Sequence, residues 1–140
     1  MKEIANNSFY QIEIDIAGNR LHLKLIGFWK DRSVVPNFLS DLETAASHLI
    51  KGFTVLTDAT DFKTPNEDIV TLHTQAQEQT LSRGLIATAE ILDHYAFARL
   101  TLDNISNNSG MPKSYFSNRE QAEAWLDEQV EKTILTSLEG

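Results

Sequence analysis

Within the first sixty residues the spacing of apolar side chains changes from two to three-and-four and back again, and that change limits the layers this chain can build. From Phe9 to Ile16, Ile12, Ile14 and Ile16 alternate with Gln11, Glu13 and Asp15, the period of a half-buried strand. Ala17-Gly18-Asn19 has turn chemistry. Leu21, Leu23 and Leu25 then alternate with His22 and Lys24 before an aromatic exit at Phe28-Trp29. So short a connection allows only antiparallel pairing, which makes the segment a β-hairpin. Ser33 can cap a following helix with Pro36 in its first turn, and Val35, Phe38, Leu39, Leu42, Ala46 and Leu49 form one stripe ended by Lys51-Gly52. The run Phe53 to Asp58 reads as a buried strand. A helical crossover precedes it, so it should pair parallel to the second hairpin strand.

The rest of the chain repeats the alternation. Thr64-Pro65-Asn66-Glu67 predicts a capped helix start with Thr64 as the cap. That helix runs to about Arg83-Gly84 on a thin stripe of Ile69, Leu72 and Ala76, so one broad face should be solvated or covered by another subunit. Leu85 to Leu92 predicts a further strand, Tyr95 to Ile105 a short helix, and Ser106 to Gly110 a loop. Tyr115-Phe116 predicts a brief last strand. Ser117-Asn118-Arg119-Glu120 is a second capping box before Ala122, Trp125, Leu126 and Val130. The expected architecture is α/β: a mixed sheet of about five strands, an N-terminal antiparallel hairpin followed by parallel crossovers, with about four helices. No repeat or linker interrupts residues 1–140, which read as a single domain.

Composition narrows the function classes. A 140-residue chain should bury roughly 70% of the surface its unfolded form exposes, enough for a core without staples. It has no cysteine, which removes thiol chemistry and thiolate metal sites. With 12 Lys+Arg against 20 Asp+Glu and a net charge of -8, its field repels phosphate backbones, so nucleic acid is not an expected partner. No charge-free run approaches the roughly 18 residues of a membrane span, and the first residues lack the apolar core of a secretion signal. The expected setting is cytoplasmic. The four histidines, His22, His48, His73 and His94, lie at no repeated ligand spacing, so no metal site is expected, and His22, His73 and His94 read as surface or boundary residues. Scattered glycines give neither a Walker loop nor a dinucleotide fingerprint, and no cofactor is expected.

Asp58-Ala59-Thr60-Asp61-Phe62, with Thr64 close behind, follows the central predicted strand and precedes a helix, where ligands and modifications gather in open α/β sheets. Asp58 and Asp61 can also simply end the strand by Asx-type turns, with Thr64 a cap. The functional alternative presents Thr60, or Thr64, as a hydroxyl near a helix N-terminus where a phosphate is electrostatically favoured. Trp29, Phe28, Phe38 and Trp125 read as core, with truncation costing about 3 to 5 kcal/mol each. The alternative is that Trp29 and Phe38 wall an apolar pocket between helices and sheet.

Gly52 to Asp58 together with Tyr115 to Leu126 give the chain a resemblance, from about Tyr10 to Asp127, to the SpoIIAA-like family of the STAS superfamily. The resemblance implies a compact mixed-sheet domain, related in shape to anti-anti-sigma factors and lipid-binding CRAL-TRIO domains, in a family of mostly small bacterial proteins without an assigned reaction. Anti-anti-sigma factors carry a phosphorylatable serine in an Asp-Ser-Ser/Ala-Gly type turn. Here Asp58 to Phe62 has neither serine nor glycine, and Thr60 is the nearest hydroxyl. Two roles are expected: a non-enzymatic regulatory module whose protein partner meets the loop and helix around Thr64, or a carrier or sensor of a small apolar, lipid-like ligand between sheet and helices. An enzyme would need carboxylates and a histidine to converge, for instance Asp58, Asp61 and His94. A homodimer is a further expectation, since the thin-striped helix and open hairpin edge leave surface to cover.

Overall fold

A computed structural model describes residues 1–96 and 112–139. Six strands, β1 (Lys2–Asn6), β2 (Tyr10–Asp15), β3 (Arg20–Gly27), β4 (Thr54–Phe62), β5 (Ala87–Ile91) and β6 (Lys113–Phe116), lie in one sheet in chain order. β1, β2 and β3 pair antiparallel, and β3 through β6 pair parallel. Helices α1 (Phe38–Ser47) and α2 (Glu67–Ser82) cover one face, and α3 (Arg119–Glu139) packs on the other over β4, β5 and β6. The expected α/β mixed sheet is present with one strand more than expected. The short helix expected from Tyr95 to Ile105 and the loop from Ser106 to Gly110 fall, apart from Tyr95 and Ala96, outside the described residues.

The period-two pattern places the core. Ile12, Ile14, Leu21, Leu23 and Leu25 turn to one side and are buried against Phe38, Leu42, Ala45 and Ala46 of α1 and Ile69, Leu72 and Ala76 of α2. On the other side Leu56, Ala87, Ala89 and Ile91 close on Ala122 and Leu126 of α3. Thr54 to Thr57 are buried in an unbroken run, as a central strand covered on both faces requires. At the rim of the smaller core Arg20 is 8% exposed, donating to Thr54 Oγ1 and to the Asp127 carboxylate, both at 2.9 Å. Its charge is paired, as burial demands. Gly84 has a φ of +105°, and a Cβ there would lie 2.8 Å from the Lys51 backbone, so the close approach of these two turns requires glycine.

Several local expectations are corrected. β1 carries too little apolar pattern to announce itself; it is an edge strand held by backbone pairing to β2, with a register shift between Glu3 and Ala5. Ser33 is not the cap of α1. Val35 precedes Pro36 and is driven out of the helical region to φ -130°, ψ 57°, so no helix can run through it. Residues Arg32–Val34 instead make a 3-10 turn capped by Asp31, and α1 begins at Phe38. Nor does Thr64 cap α2. Asn66, in extended backbone at φ -83°, ψ 179°, takes that place, its Oδ1 accepting from the Ile69 N-H at 3.0 Å. Asn118 rather than Ser117 accepts from the Gln121 N-H at the start of α3.

Candidate functional site

β4 does not stop at Asp58 but runs on to Phe62. Lys24 of β3 faces Asp58 and Ile26 faces Asp61, so two steps on β3 are matched by three on β4. That one-residue bulge shifts the alternation of side chains. Asp58 and Asp61 consequently share the face of Lys24, whose ammonium lies 3.9 Å from Asp61, while Ala59 and Phe62 both turn toward α1 and α2. Asp58 Oδ1 accepts from the Thr60 N-H at 3.1 Å and from its hydroxyl at 2.7 Å, the Asx-type contact that holds the bulge. Thr64 is exposed in the connection to α2, on the opposite side of the sheet from Asp61. The four residues singled out in the sequence are therefore split between two faces. Among the described contacts neither aspartate meets His94.

Trp29 and Phe38 are each 1% exposed. Trp29 donates through Nε1 to the carbonyls of Phe9 and Ile26, and its ring stacks edge-on with Phe38 and Phe62 at 5.1 and 5.3 Å between centroids. Phe38 also lines a small cavity of about 120 Å³. Tyr10 joins this aromatic group; its hydroxyl donates to Asp41 at 2.6 Å, and burial, with that carboxylate, pushes its pKa up to about 12.

The larger space lies between α2 and the adjoining face of β4, β5 and β6: a cleft of about 690 Å³. Its sheet wall follows from register. With Ala87, Ala89 and Ile91 turned to α3, the alternation puts Thr88 and Glu90 on the other face. Thr88 pairs with Lys113 and Glu90 with Tyr115, so β6 brings a lysine and a tyrosine beside them. The helix wall is Val70, His73, Thr74 and Gln77, at helical spacings of three and four. This stripe runs beside the buried Ile69, Leu72, Ala76 and Thr80, which explains why the apolar stripe of α2 is thin: a second face of the helix looks into the cleft. Leu25, Ala59 and Phe62 make the apolar floor.

His73, Gln77, Glu90 and Lys113 line both the cleft and the smaller cavity behind it. The His73 ring sits against Trp29, Phe38 and Phe62 at 5.3 to 5.6 Å, and its Nε2 is buried without a hydrogen-bond partner. Burial, and then the Lys113 charge, lower its pKa to about 4, so the ring is neutral near pH 7. Neither Glu90 nor Lys113 belongs to an ion pair of the described residues; the Lys113 ammonium lies 5.7 Å from the centroid of the Tyr115 ring. A wall with an apolar floor and several uncommitted polar groups is suited to hold and orient a small organic molecule. Among the described residues no group of three or more His, Asp or Glu converges to hold a metal, and no helix is long and apolar enough to cross a membrane.

Sequence reasoning passed over Glu90, Lys113, Tyr115 and Gln77 and treated His73 as ordinary. The signal was there in part: Thr88 and Glu90 interrupt an apolar run at a spacing of two, which marks one face of β5 as polar. Comparison of the chain with protein-family models, with curated proteins and with solved structures found no match.

Proposed function

We propose that this protein binds a small amphipathic molecule in the cleft between α2 and the β4 to β6 face, acting as a carrier or sensor rather than a catalyst. The observation that carries the reading is the cleft itself. Its volume, about 690 Å³, falls inside the range of roughly 300 to 1,000 Å³ common for small-molecule sites, and its lining joins an apolar floor to a few convergent polar groups. Kinship with the SpoIIAA-like domains belongs to the same proposal, supported by the order of hairpin and parallel crossovers and by the segment Tyr115 to Leu126. Native mass spectrometry of freshly purified protein should reveal an adduct, and Val70→Trp, which fills the cleft from an exposed helix position, should remove it. A clean apo mass together with no thermal shift across a panel of small amphipathic compounds would overturn the reading.

A regulatory role through a protein partner is the second reading. It is favoured by the bulge, which turns Asp58 and Asp61 out on the face opposite the cleft, beside the Thr60 hydroxyl. A partner recovered from cell extract by the wild-type chain and lost on Thr60→Glu, with Val70→Trp retaining it, would support this role. Equal recovery by wild type and Thr60→Glu would count against it.

A further inference from the structure

We infer that the ligand of the cleft carries a zwitterionic head, an ammonium and a carboxylate on one molecule with an apolar tail, as in an amino acid with an apolar side chain. This inference rests on the reading of the cleft as a small-molecule site and adds the chemistry of its occupant.

The charges of the cleft lining carry the argument. In a chain with net charge -8, the lining among the described residues holds two acids, Glu90 and Asp93, and two lysines, Lys63 and Lys113, so these four sum to zero. Glu90 and Lys113 are the inner pair, in the wall shared with the smaller cavity. Because Thr88 is opposite Lys113 and Glu90 opposite Tyr115, Glu90 and Lys113 stand diagonally across adjacent strands. One strand over and two residues along, their Cα atoms are roughly 8 Å apart, and these two do not form an ion pair. Each side chain is half-buried, and each keeps its capacity for a charged partner.

A ligand with a single negative charge can pair with Lys113 only by bringing its carboxylate up to Glu90 as well. A ligand with a single positive charge meets the reverse conflict at Lys113. A dipolar head satisfies both: carboxylate to Lys113, ammonium to Glu90, with charge-assisted hydrogen bonds on each side. Gln77, whose amide both donates and accepts, lies in the same wall, as does His73 with its unpartnered Nε2. The apolar tail then lies along Leu25, Ala59 and Phe62. Selectivity comes from repulsion as much as attraction, since each inner charge rejects the analogue lacking its partner.

The test is calorimetric titration of the full chain with four probes of similar shape: L-phenylalanine, N-acetyl-L-phenylalanine, L-phenylalaninamide and 3-phenylpropanol. L-Phenylalanine should bind at least about tenfold more tightly than either singly charged analogue. Glu90→Gln, checked for an unchanged melt, should weaken L-phenylalanine and the amide and leave the N-acetyl compound unweakened. Lys113→Met should weaken L-phenylalanine and the N-acetyl compound and spare the amide. Equal binding of the zwitterion and either singly charged analogue, or wild-type affinity for L-phenylalanine in both variants, would overturn the zwitterionic head. In that case 3-phenylpropanol separates the two levels: if it binds wild type and is lost on Val70→Trp, the cleft reading stands and only the head is wrong. If none of the four probes binds, both fall.

Discussion

On one side of β5, Ala87, Ala89 and Ile91 are buried against Ala122 and Leu126 of α3; on the other, Thr88 lines the smaller cavity and Glu90 faces the cleft, beside Lys113 and Tyr115. The same five residues thus serve a dry interface and a polar wall, through nothing more than the alternation of a strand. The contrast with β3 is equally direct. There Leu21, Leu23 and Leu25, which look the same way as Thr88 and Glu90, are met by the helices and buried. Helix α2 closes on the sheet over Leu21 and Leu23, and the cleft opens where Leu25, Ala59 and Phe62 meet the polar side chains of β5 and β6. The polar side of the cleft is therefore set by β5 and β6, and its apolar floor by Leu25, Ala59 and Phe62 of β3 and β4.

If the α3 side is the close-packed one, truncation there should be the most damaging change. Leu126→Ala should lower unfolding free energy by about 2 to 5 kcal/mol in a urea titration, through lost burial and an unfilled cavity. A loss under about 1 kcal/mol would mean that the dry face is not dry. At the border between aromatic core and cleft, His73 should make stability depend on pH. Its folded pKa, about 4, lies below the ordinary 6.5, so the unfolded chain binds more protons between these values. The neutral ring's contribution is complete above about pH 6.5 and is lost as pH falls toward 4. Between pH 7 and 5 wild type should lose up to roughly 2 kcal/mol more than His73→Phe. Parallel pH profiles for the two would place His73 in solvent. The groups facing this ring are Trp29, Phe38 and Phe62, with the Lys113 charge acting in the same direction as burial.

Smaller effects sharpen the contrast. Asn66→Ala should cost about 1 kcal/mol by uncapping the helix that forms the cleft wall, whereas Thr64→Ala should be nearly silent. A larger loss from Thr64 than from Asn66 would restore the cap expected from sequence. Smallest of all, Glu90→Leu should change stability by no more than about 0.5 kcal/mol, because its half-buried carboxylate is in no ion pair among the described residues and faces the cleft. A loss near that of Leu126→Ala would show Glu90 to be a core residue.

The layers of this fold were legible because they rest on periodicity: the hairpin, the parallel β4 and the buried stripe of α1 all follow from where Ile, Leu and Val fall. Lys2 to Asn6 was not legible, since an edge strand held by main-chain pairing needs no apolar signature. Caps were misplaced by residues because competing Ser, Thr and Asn cluster at each helix start, and Pro36 acts on Val35 in a way that motif matching omits. The bulge at Asp58 to Asp61 was invisible for a different reason: it inserts one residue without interrupting the strand, and only the partner register reveals it. Of the cleft, the polar beat of Thr88 and Glu90 could be read from the sequence. That Lys113 and Tyr115 stand beside them could not, because strand order is a long-range fact.

The most direct measurement uses the absence of cysteine from the chain. Ala89→Cys and Glu90→Cys place single thiols on opposite faces of β5, and a small thiol reagent under native conditions reads their accessibility. Glu90→Cys, half-buried in the cleft wall, should react at least about tenfold faster than Ala89→Cys, which should react only as the protein unfolds. Equal rates at the two positions, or protection of both, would contradict an open cleft on one face of β5 and a sealed core on the other.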